Sequence, residues 1–291
     1  MNMILSFRRI ISWFVTIATM VYLSIGGIGD VFEMNKVYLD YPYGTAERQI
    51  MDICIPKEAE GETGLILFIH GGAWMMGNKK EYRSLLDEWS RKGYVTAAMN
   101  YRFVNEEIDA FDIMEDITDA LAAAKKVADK NGVTLKKCLL TGASAGAHLC
   151  MLYAYSRREE APVQPACVVE YCGPSDFTKT DFMLNPDLLK PNSYCCGFTY
   201  NAENFEEGLP HYKAVSPITY IESAVPTVIA HGVSDEIVPF SQAELLDEAL
   251  TKQGIAHDFI VYQSGHGVTA DKVSFAKTDV LFAQYAAAYL K

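Results

Sequence analysis

The sequence predicts an α/β protein with an open, mostly parallel sheet of about eight strands and helices on both faces. Two observations lead to this prediction. Short apolar runs, which are typical of strands buried on both faces, recur along the chain, and segments of helical periodicity separate most of them. This alternation implies crossover connections that bring parallel strands side by side. The chain has 291 residues, half of them hydrophobic, so it can bury a large core.

The strands are predicted as follows, in chain order. Residues 36–41 and 49–55 alternate in polarity around a turn at residues 42–45, which predicts an antiparallel hairpin. The six remaining strands are the apolar runs at residues 65–69, 94–99, 137–140, 166–171, 227–230 and 258–262. Helices are predicted over residues 82–92, 108–130, 145–155, 240–253 and 270–290.

Residues 173–217 interrupt this alternation. They have no clear periodicity and are rich in turn-forming and aromatic residues. A loop of this length without structure is improbable in a compact domain. We therefore predict one domain over residues 31–291, into which residues 173–217 are inserted as a lid of short helices above the strand ends, where open α/β sheets bind ligands.

The N-terminal residues 1–30 differ from the rest in composition. Residues 10–28 carry no charge and follow Arg8 and Arg9, and as a helix they would span about 28 Å, close to a bilayer core. An uncleaved membrane anchor, a cleaved secretory signal and a soluble helix packed on the body all fit this segment. The first two predict a membrane-anchored or secreted protein with its body outside the cytoplasm, and the third predicts a cytoplasmic one.

Charge and cysteine content exclude several classes of protein. The chain has 25 Lys and Arg against 37 Asp and Glu, a net charge of −12, which disfavours nucleic acid and favours a neutral or cationic small-molecule partner. Its seven cysteines are too few for a disulfide scaffold, and the adjacent Cys195 and Cys196 have no assigned role. No metal-ligand spacing or dinucleotide fingerprint is present, so we predict neither metal nor cofactor. The oligomeric state is not indicated.

Ser144 stands in a Gly-Ala-Ser-Ala-Gly motif between a predicted strand and a predicted helix. Glycines at positions 142 and 146 permit the sharp turn that exposes a strained serine, and the amides after it point at whatever binds there. An ordinary glycine-rich turn would not need a serine at its apex. The context therefore favours a nucleophile.

Residues 70–74 (HGGAW) follow the strand at residues 65–69 in the same way. Two glycines let backbone amides turn toward an oxyanion, although an isolated HGG could equally be a close-packed turn. Because the serine motif is also present, we predict that this HGG segment forms an oxyanion-binding loop.

Asp235 and His266 each lie on a loop after a predicted strand. The chain order Ser144, Asp235, His266 is the order of α/β-hydrolases. Taken singly, Asp235 could be a helix N-cap and His266 a surface histidine. His148 is interpreted as a packed or hydrogen-bonded helix residue, and His70 and His231 as histidines that bond to backbone.

The chain from about residue 36 onward resembles α/β-hydrolases of the esterase/lipase type, close to the hormone-sensitive-lipase-like and carbohydrate-esterase-like groups. The matching segments are residues 70–74 (HGGAW), 100–102 (NYR), 142–149 (GASAGAHL), 231–239 (HGVSDEIVP) and 265–266 (GH). The resemblance implies that Ser144 is the nucleophile, His266 the base and Asp235 the acid, and that the amides of Gly72, Ala73 and Ala145 form the oxyanion hole. Two departures from the pattern are Ala73, where many relatives have glycine, and Ala143, which replaces a common acidic residue.

These residues predict a serine carboxylester hydrolase that acts on short-acyl esters, with sugar or aryl esters as candidates. Tyr194 and Phe198 could stack on a sugar or aryl ring, and Trp74 and Met75 could line an acyl pocket, although all four could equally be core residues. Two alternatives remain open. One is an amide hydrolase on the same triad, such as an aryl formamidase or a prolyl-oligopeptidase-like peptidase, and the other is a catalytically silent binding module.

Overall fold

The computed structural model describes residues 35–291. The predicted anchor or signal over residues 10–28, and the boundary at residue 30 between the two predicted segments, lie outside the described residues and stay predictions. No helix within residues 35–291 has both the length and the apolar character needed to cross a bilayer.

In residues 35–291, ten strands form one large and one small sheet. They are β1 (Asn35–Pro42), β2 (Ile50–Pro56), β3 (Gly61–Glu62), β4 (Leu65–Ile69), β5 (Val95–Met99), β6 (Val133–Thr134), β7 (Lys137–Ala143), β8 (Gln164–Tyr171), β9 (Thr227–Gly232) and β10 (His257–Tyr262). Eight of them make the large sheet in the order β1-β2-β5-β4-β7-β8-β9-β10, and β3 pairs with β6. Only the pairs β1–β2 and β2–β5 of the large sheet are antiparallel.

Eight α-helices connect and cover the strands. They are α1 (Arg83–Arg91), α2 (Ala110–Lys130), α3 (Ala145–Ser156), α4 (Thr180–Met183), α5 (Leu189–Cys195), α6 (Leu209–Val215), α7 (Ser241–Gln253) and α8 (Lys272–Tyr289) within residues 35–291. The predicted eight-stranded, mostly parallel sheet with helices on both faces is confirmed.

Strand β4, near the middle of the sheet, is buried on both faces. Leu65, Leu67 and Ile69 face one hydrophobic core, which includes residues of α2, α3 and α7. Ile66 and Phe68 face a second core on the other side of the sheet, formed with α1 and α8. Because successive side chains of a strand point to opposite faces, a strand covered on both faces has no solvent-facing position, and β4 is accordingly apolar throughout.

The strand order determines where the parallel strands create a cleft. The chain passes from β4 to β5 on one side and then returns to β7 on the other side of β4. Ligands of open α/β sheets bind beyond the carboxyl ends of the strands at such a switch point. The loops that follow β4 and β7 meet there, and they contain the HGGAW and Gly-Ala-Ser-Ala-Gly motifs.

Residues 173–217 contain the three short helices α4, α5 and α6, with a 3₁₀ turn at Phe205–Gly208. The aromatic side chains of this insertion pack mostly on one another: the ring of Tyr212 contacts those of Phe198, Tyr200 and Phe205. The insertion therefore has a small apolar cluster of its own, continuous with the main core.

Candidate active site

Ser144 lies on the turn between β7 and α3 with φ 55° and ψ −121°. A positive φ is strained for a residue with a side chain, and strain of this kind is typical of functional sites. The Ser144 amide donates to the Tyr171 carbonyl at 2.7 Å, and the Ser144 carbonyl accepts from the His148 amide at 3.0 Å. The turn is therefore anchored to β8 on one side and to α3 on the other.

The two glycines of the motif are required by a close backbone approach. A Cβ at Gly146 would lie 2.0 Å from the Ile69 carbonyl oxygen, and a Cβ at Gly142 would lie 2.4 Å from the same atom. Carbon cannot approach oxygen so closely. The end of β4 can therefore touch the turn that carries Ser144 only because both positions lack a side chain.

The loop after β4 also has an unusual backbone. Gly72, Ala73 and Trp74 have positive φ values of 114°, 47° and 57°. A Cβ at Gly72 would lie 2.3 Å from the Met76 carbonyl oxygen, so this position requires glycine. The amides of Gly72 and Ala73 donate to no acceptor within residues 35–291. Two free donors thus lie in the loop predicted to form the oxyanion hole, and Ala145, the third predicted donor, begins α3 directly after Ser144.

The buried Tyr101 and the partly buried Arg48 contact this loop. The Tyr101 hydroxyl donates to the His70 carbonyl at 3.0 Å, and its ring stacks on the His70 imidazole at 4.2 Å. Arg48 contacts His70 Nε2 at 3.2 Å and the Gly77 carbonyl at 3.3 Å. Burial lowers the pKa of His70 to about 3, so the imidazole is neutral at neutral pH.

His266 and Asp235 form a hydrogen-bonded pair. His266 Nδ1 lies 2.7 Å from Asp235 Oδ2, and the Asp235 side chain is fully buried. The other carboxylate oxygen, Oδ1, accepts from the amides of Ile237 and Val238, both at 2.9 Å. Burial raises the pKa of Asp235, but the charge of His266 and hydrogen bonds from His231 and His266 outweigh it, so the net pKa lies below its ordinary value. The ionised carboxylate accepts the Nδ1 proton of His266, which leaves Nε2 as the basic nitrogen.

Ser144 and His266 line one narrow cavity together with Ala73. The space open to the centre of a water molecule is about 20 Å³, which is room for one or two water-sized groups. The walls are apolar and consist of Trp74, Pro174, Phe182, Leu188, Ile237 and Val238.

Trp74 is the predicted substrate residue that the structure brings to this cavity. The indole Nε1 donates to His148 Nδ1 at 3.2 Å, and His148 Nε2 donates to the Val215 carbonyl at 2.7 Å. The imidazole of His148 thus joins the loop after β4, helix α3 and the end of the insertion. Burial lowers the pKa of His148 to about 4, which keeps the imidazole neutral and both hydrogen bonds intact at neutral pH.

The structure does not bring the other three predicted substrate residues to the cavity. Met75, Tyr194 and Phe198 are half-buried against the hydrophobic core, and Phe198 stacks on the His211 ring at 5.0 Å. The cavity instead contains Phe182 and Leu188, which sequence reasoning missed because the insertion has no periodicity that singles out an inward-facing position.

Within the described part of the chain, Cys172, Asp235 and His266 form a group with metal-ligand chemistry. Their ligand atoms lie within 4.8 Å of one another. Asp235 and His266 are already paired, and burial raises the pKa of the Cys172 thiol well above its ordinary value, which disfavours the thiolate that binds metals. All seven cysteines, including Cys195 and Cys196, are buried free thiols.

The fold and the turn that carries Ser144 define the chain as an α/β-hydrolase. The chain belongs to the BD-FAE family, because the profile of that family matches residues 51–250, more than half of its length. This membership confirms the resemblance to esterase-type α/β-hydrolases.

The chain is similar to two curated relatives and to one solved structure described here. The chain is 28% identical over 231 residues to a probable carboxylic ester hydrolase, LipM, of Mycobacterium tuberculosis, with 72% of this chain and 52% of LipM covered. It is 25% identical to a probable isoprenylcysteine alpha-carbonyl methylesterase of rice (Oryza sativa subsp. japonica), with 80% and 58% covered. The chain thus spans about half the length of these relatives. A truncated carbohydrate esterase from gut microbiota superimposes with a TM-score of 0.72 at 20% identity, covering 90% of this chain and 100% of that one.

Proposed function

We propose that the protein is a serine carboxylic ester hydrolase that acts on short-acyl esters. The observation that carries the proposal is the meeting of Ser144, on its strained turn, with the His266–Asp235 pair at one narrow apolar cavity. The curated relatives include a probable carboxylic ester hydrolase and a probable methylesterase, which supports ester hydrolysis.

The reaction we propose begins with attack of Ser144 Oγ on the ester carbonyl. His266 Nε2 accepts the hydroxyl proton and then passes it to the departing alcohol, which leaves an acyl group on Ser144. Water, deprotonated by the same nitrogen, then releases the acid. In each step the carbonyl oxygen develops negative charge, and the amides of Gly72, Ala73 and Ala145 would donate to it.

The small size of the cavity favours an ester with a small acyl group. Its space corresponds to one or two water-sized groups, which suits an acetyl or propionyl chain. Phe182 and Leu188 come from the insertion, so we propose that residues 173–217 act as a lid that limits the depth of the pocket. Tyr194 and Phe198 lie away from the cavity, so the alcohol predicted from them, a sugar or an aryl group, gains no support from its lining.

A fluorophosphonate probe tests the proposed chemistry directly. Such a probe reacts with an activated serine and forms a stable adduct. We expect a single adduct on Ser144, located by mass spectrometry. Protein that is denatured before the probe is added should not be labelled. The absence of an adduct on the folded protein would contradict the proposal and favour a catalytically silent binding module.

The variant Phe182→Ala tests the acyl pocket. Removing this ring should lengthen the cavity, and we expect the hexanoate-to-acetate ratio of kcat/KM on nitrophenyl esters to rise about tenfold or more, because each methylene in an apolar pocket is worth about that much. Phe198→Ala is the matched control, since it removes the same ring from the same insertion away from the cavity. An equal change in both variants would contradict the assignment of Phe182 to the acyl pocket.

A further inference from the structure

Asp235 has a second histidine neighbour besides His266. His231, at the end of β9, is fully buried, and its Nε2 lies 3.2 Å from Asp235 Oδ2. This is the same oxygen that accepts from His266 Nδ1 at 2.7 Å. Two imidazoles therefore share one carboxylate oxygen, and only one of them, His266, reaches the cavity.

The proton on His231 Nε2 can be assigned from its other neighbour. Nε2 also lies 2.9 Å from the Val238 carbonyl oxygen, which can only accept a hydrogen bond. Nε2 is therefore the protonated nitrogen, and its hydrogen is shared between that carbonyl and Asp235. Nδ1 of His231 has no partner within residues 35–291. Whether or not Nδ1 also carries a proton, Nε2 donates toward the carboxylate.

The titratable groups around His231 and Asp235 lie on or directly after three strands, β8, β9 and β10. Burial lowers the pKa of His231, but the hydrogen bond and charge of Asp235 outweigh it, so the pKa lies above its ordinary value. From β8, Glu170 is fully buried, its Oε2 accepts from the Gly173 amide at 2.8 Å, and burial raises its pKa to about 7. The Cys172 thiol lies beside Asp235, and His266 approaches from the loop after β10.

We propose that His231 is a positioning residue that fixes Asp235 Oδ2 and draws part of its negative charge away from His266. The inference rests on the proposed function, in which Asp235 orients the catalytic base. A carboxylate that accepts a second strong donor stabilises the protonated form of His266 less. Removing His231 should therefore strengthen the attraction between the Asp235 carboxylate and a protonated His266.

His231→Leu and His231→Gln test this role, because leucine removes the donor and glutamine keeps an N–H. For His231→Leu we expect kcat to fall about tenfold with little change in KM, as for a lost hydrogen bond to a charged group. We also expect the acidic limb of the pH–rate profile to move upward by about half a pH unit. His231→Gln should lie between this variant and the wild type.

The control is His257→Leu. His257 Nε2 lies 3.1 Å from Asp247 Oδ1, a similar contact between histidine and aspartate at the start of β10. This variant should keep the wild-type profile. Glu170→Gln is a second control, because Glu170 could itself titrate near neutral pH. It should leave the acidic limb in place.

An NMR titration of the labelled histidines gives a readout that needs no substrate. In His231→Leu the titration midpoint of His266 should move upward, and in His257→Leu it should not. An unchanged midpoint in a folded His231 variant would overturn the inference, even where kcat falls. The proposed function fails in a different way, through absence of ester hydrolysis and of the Ser144 adduct in the wild-type protein.

Discussion

Ser144→Ala is expected to lower kcat for a short-acyl ester by at least about a thousandfold, the largest effect on activity in this chain. The proposed acyl-enzyme route requires the hydroxyl, whereas the amides of Gly72 and Ala73 and the cavity remain in the variant. A small residual rate above that of water is therefore expected from oxyanion stabilisation and binding. Steady-state kinetics on nitrophenyl acetate measure both rates.

Ser156→Ala is the matched control for this variant. Ser156 ends the same helix, and its hydroxyl donates to the Leu152 carbonyl rather than to any group at the cavity. Its turnover should stay close to that of the wild type. A Ser144→Ala protein that keeps more than a few per cent of wild-type kcat would refute the assignment of the nucleophile.

Lys79→Met is expected to give the largest loss of stability, about 3–5 kcal/mol in the free energy of unfolding. The Lys79 side chain is fully buried and pairs with the buried Asp52, and its ammonium also lies 2.6 Å from Asp40 Oδ1. Methionine fills similar space but leaves the Asp52 carboxylate with Arg83 as its remaining cation, at 3.1 Å. Removing one partner of a buried ion pair leaves a charge whose desolvation is no longer compensated. Denaturant unfolding measures the difference.

Two further variants separate charge from packing in this network. Lys80→Met changes the exposed neighbour and should stay within about 0.5 kcal/mol of the wild type. The double variant Lys79→Met, Asp52→Leu removes both buried charges and should recover much of the loss, because an apolar pair can replace a buried ion pair. A loss below about 1 kcal/mol in the single variant would show that water or a rearranged Arg83 compensates the carboxylate.

The sequence alone predicted most of the fold because the signals were local. Each apolar run of the parallel sheet, such as residues 65–69, became a strand with nearly the predicted bounds, and the five long helices also formed where periodicity indicated them. Strand order has no local signal. Only the structure shows that β4 lies between β5 and β7, which brings the HGGAW loop against the turn that carries Ser144.

Of the candidate site, only the residues that stand in recognisable motifs could be predicted from the sequence. Motifs, positions after predicted strands and chain order pointed to Ser144, Asp235 and His266, and their roles remain predictions for the experiments above. His231 stands four residues before Asp235 in a recognisable motif, but that spacing does not reveal that its Nε2 approaches the carboxylate as well as the Val238 carbonyl. Phe182 lines the cavity, but it lies in an insertion without periodicity. Its position there depends on tertiary packing, for which the sequence has no local signal.

The imidazole of His148, which contacts Trp74 and the Val215 carbonyl, also makes the free energy of unfolding depend on pH. His148 in the folded protein titrates with a pKa of about 4, whereas an exposed histidine in the unfolded chain titrates near 6.5. Between these two values the unfolded chain binds a proton that the folded protein does not. The free energy of unfolding should therefore fall as the pH drops from about 6.5 toward 4, while above pH 7 this residue makes no difference. A contact that organises the candidate active site at neutral pH thus makes the fold sensitive to acid.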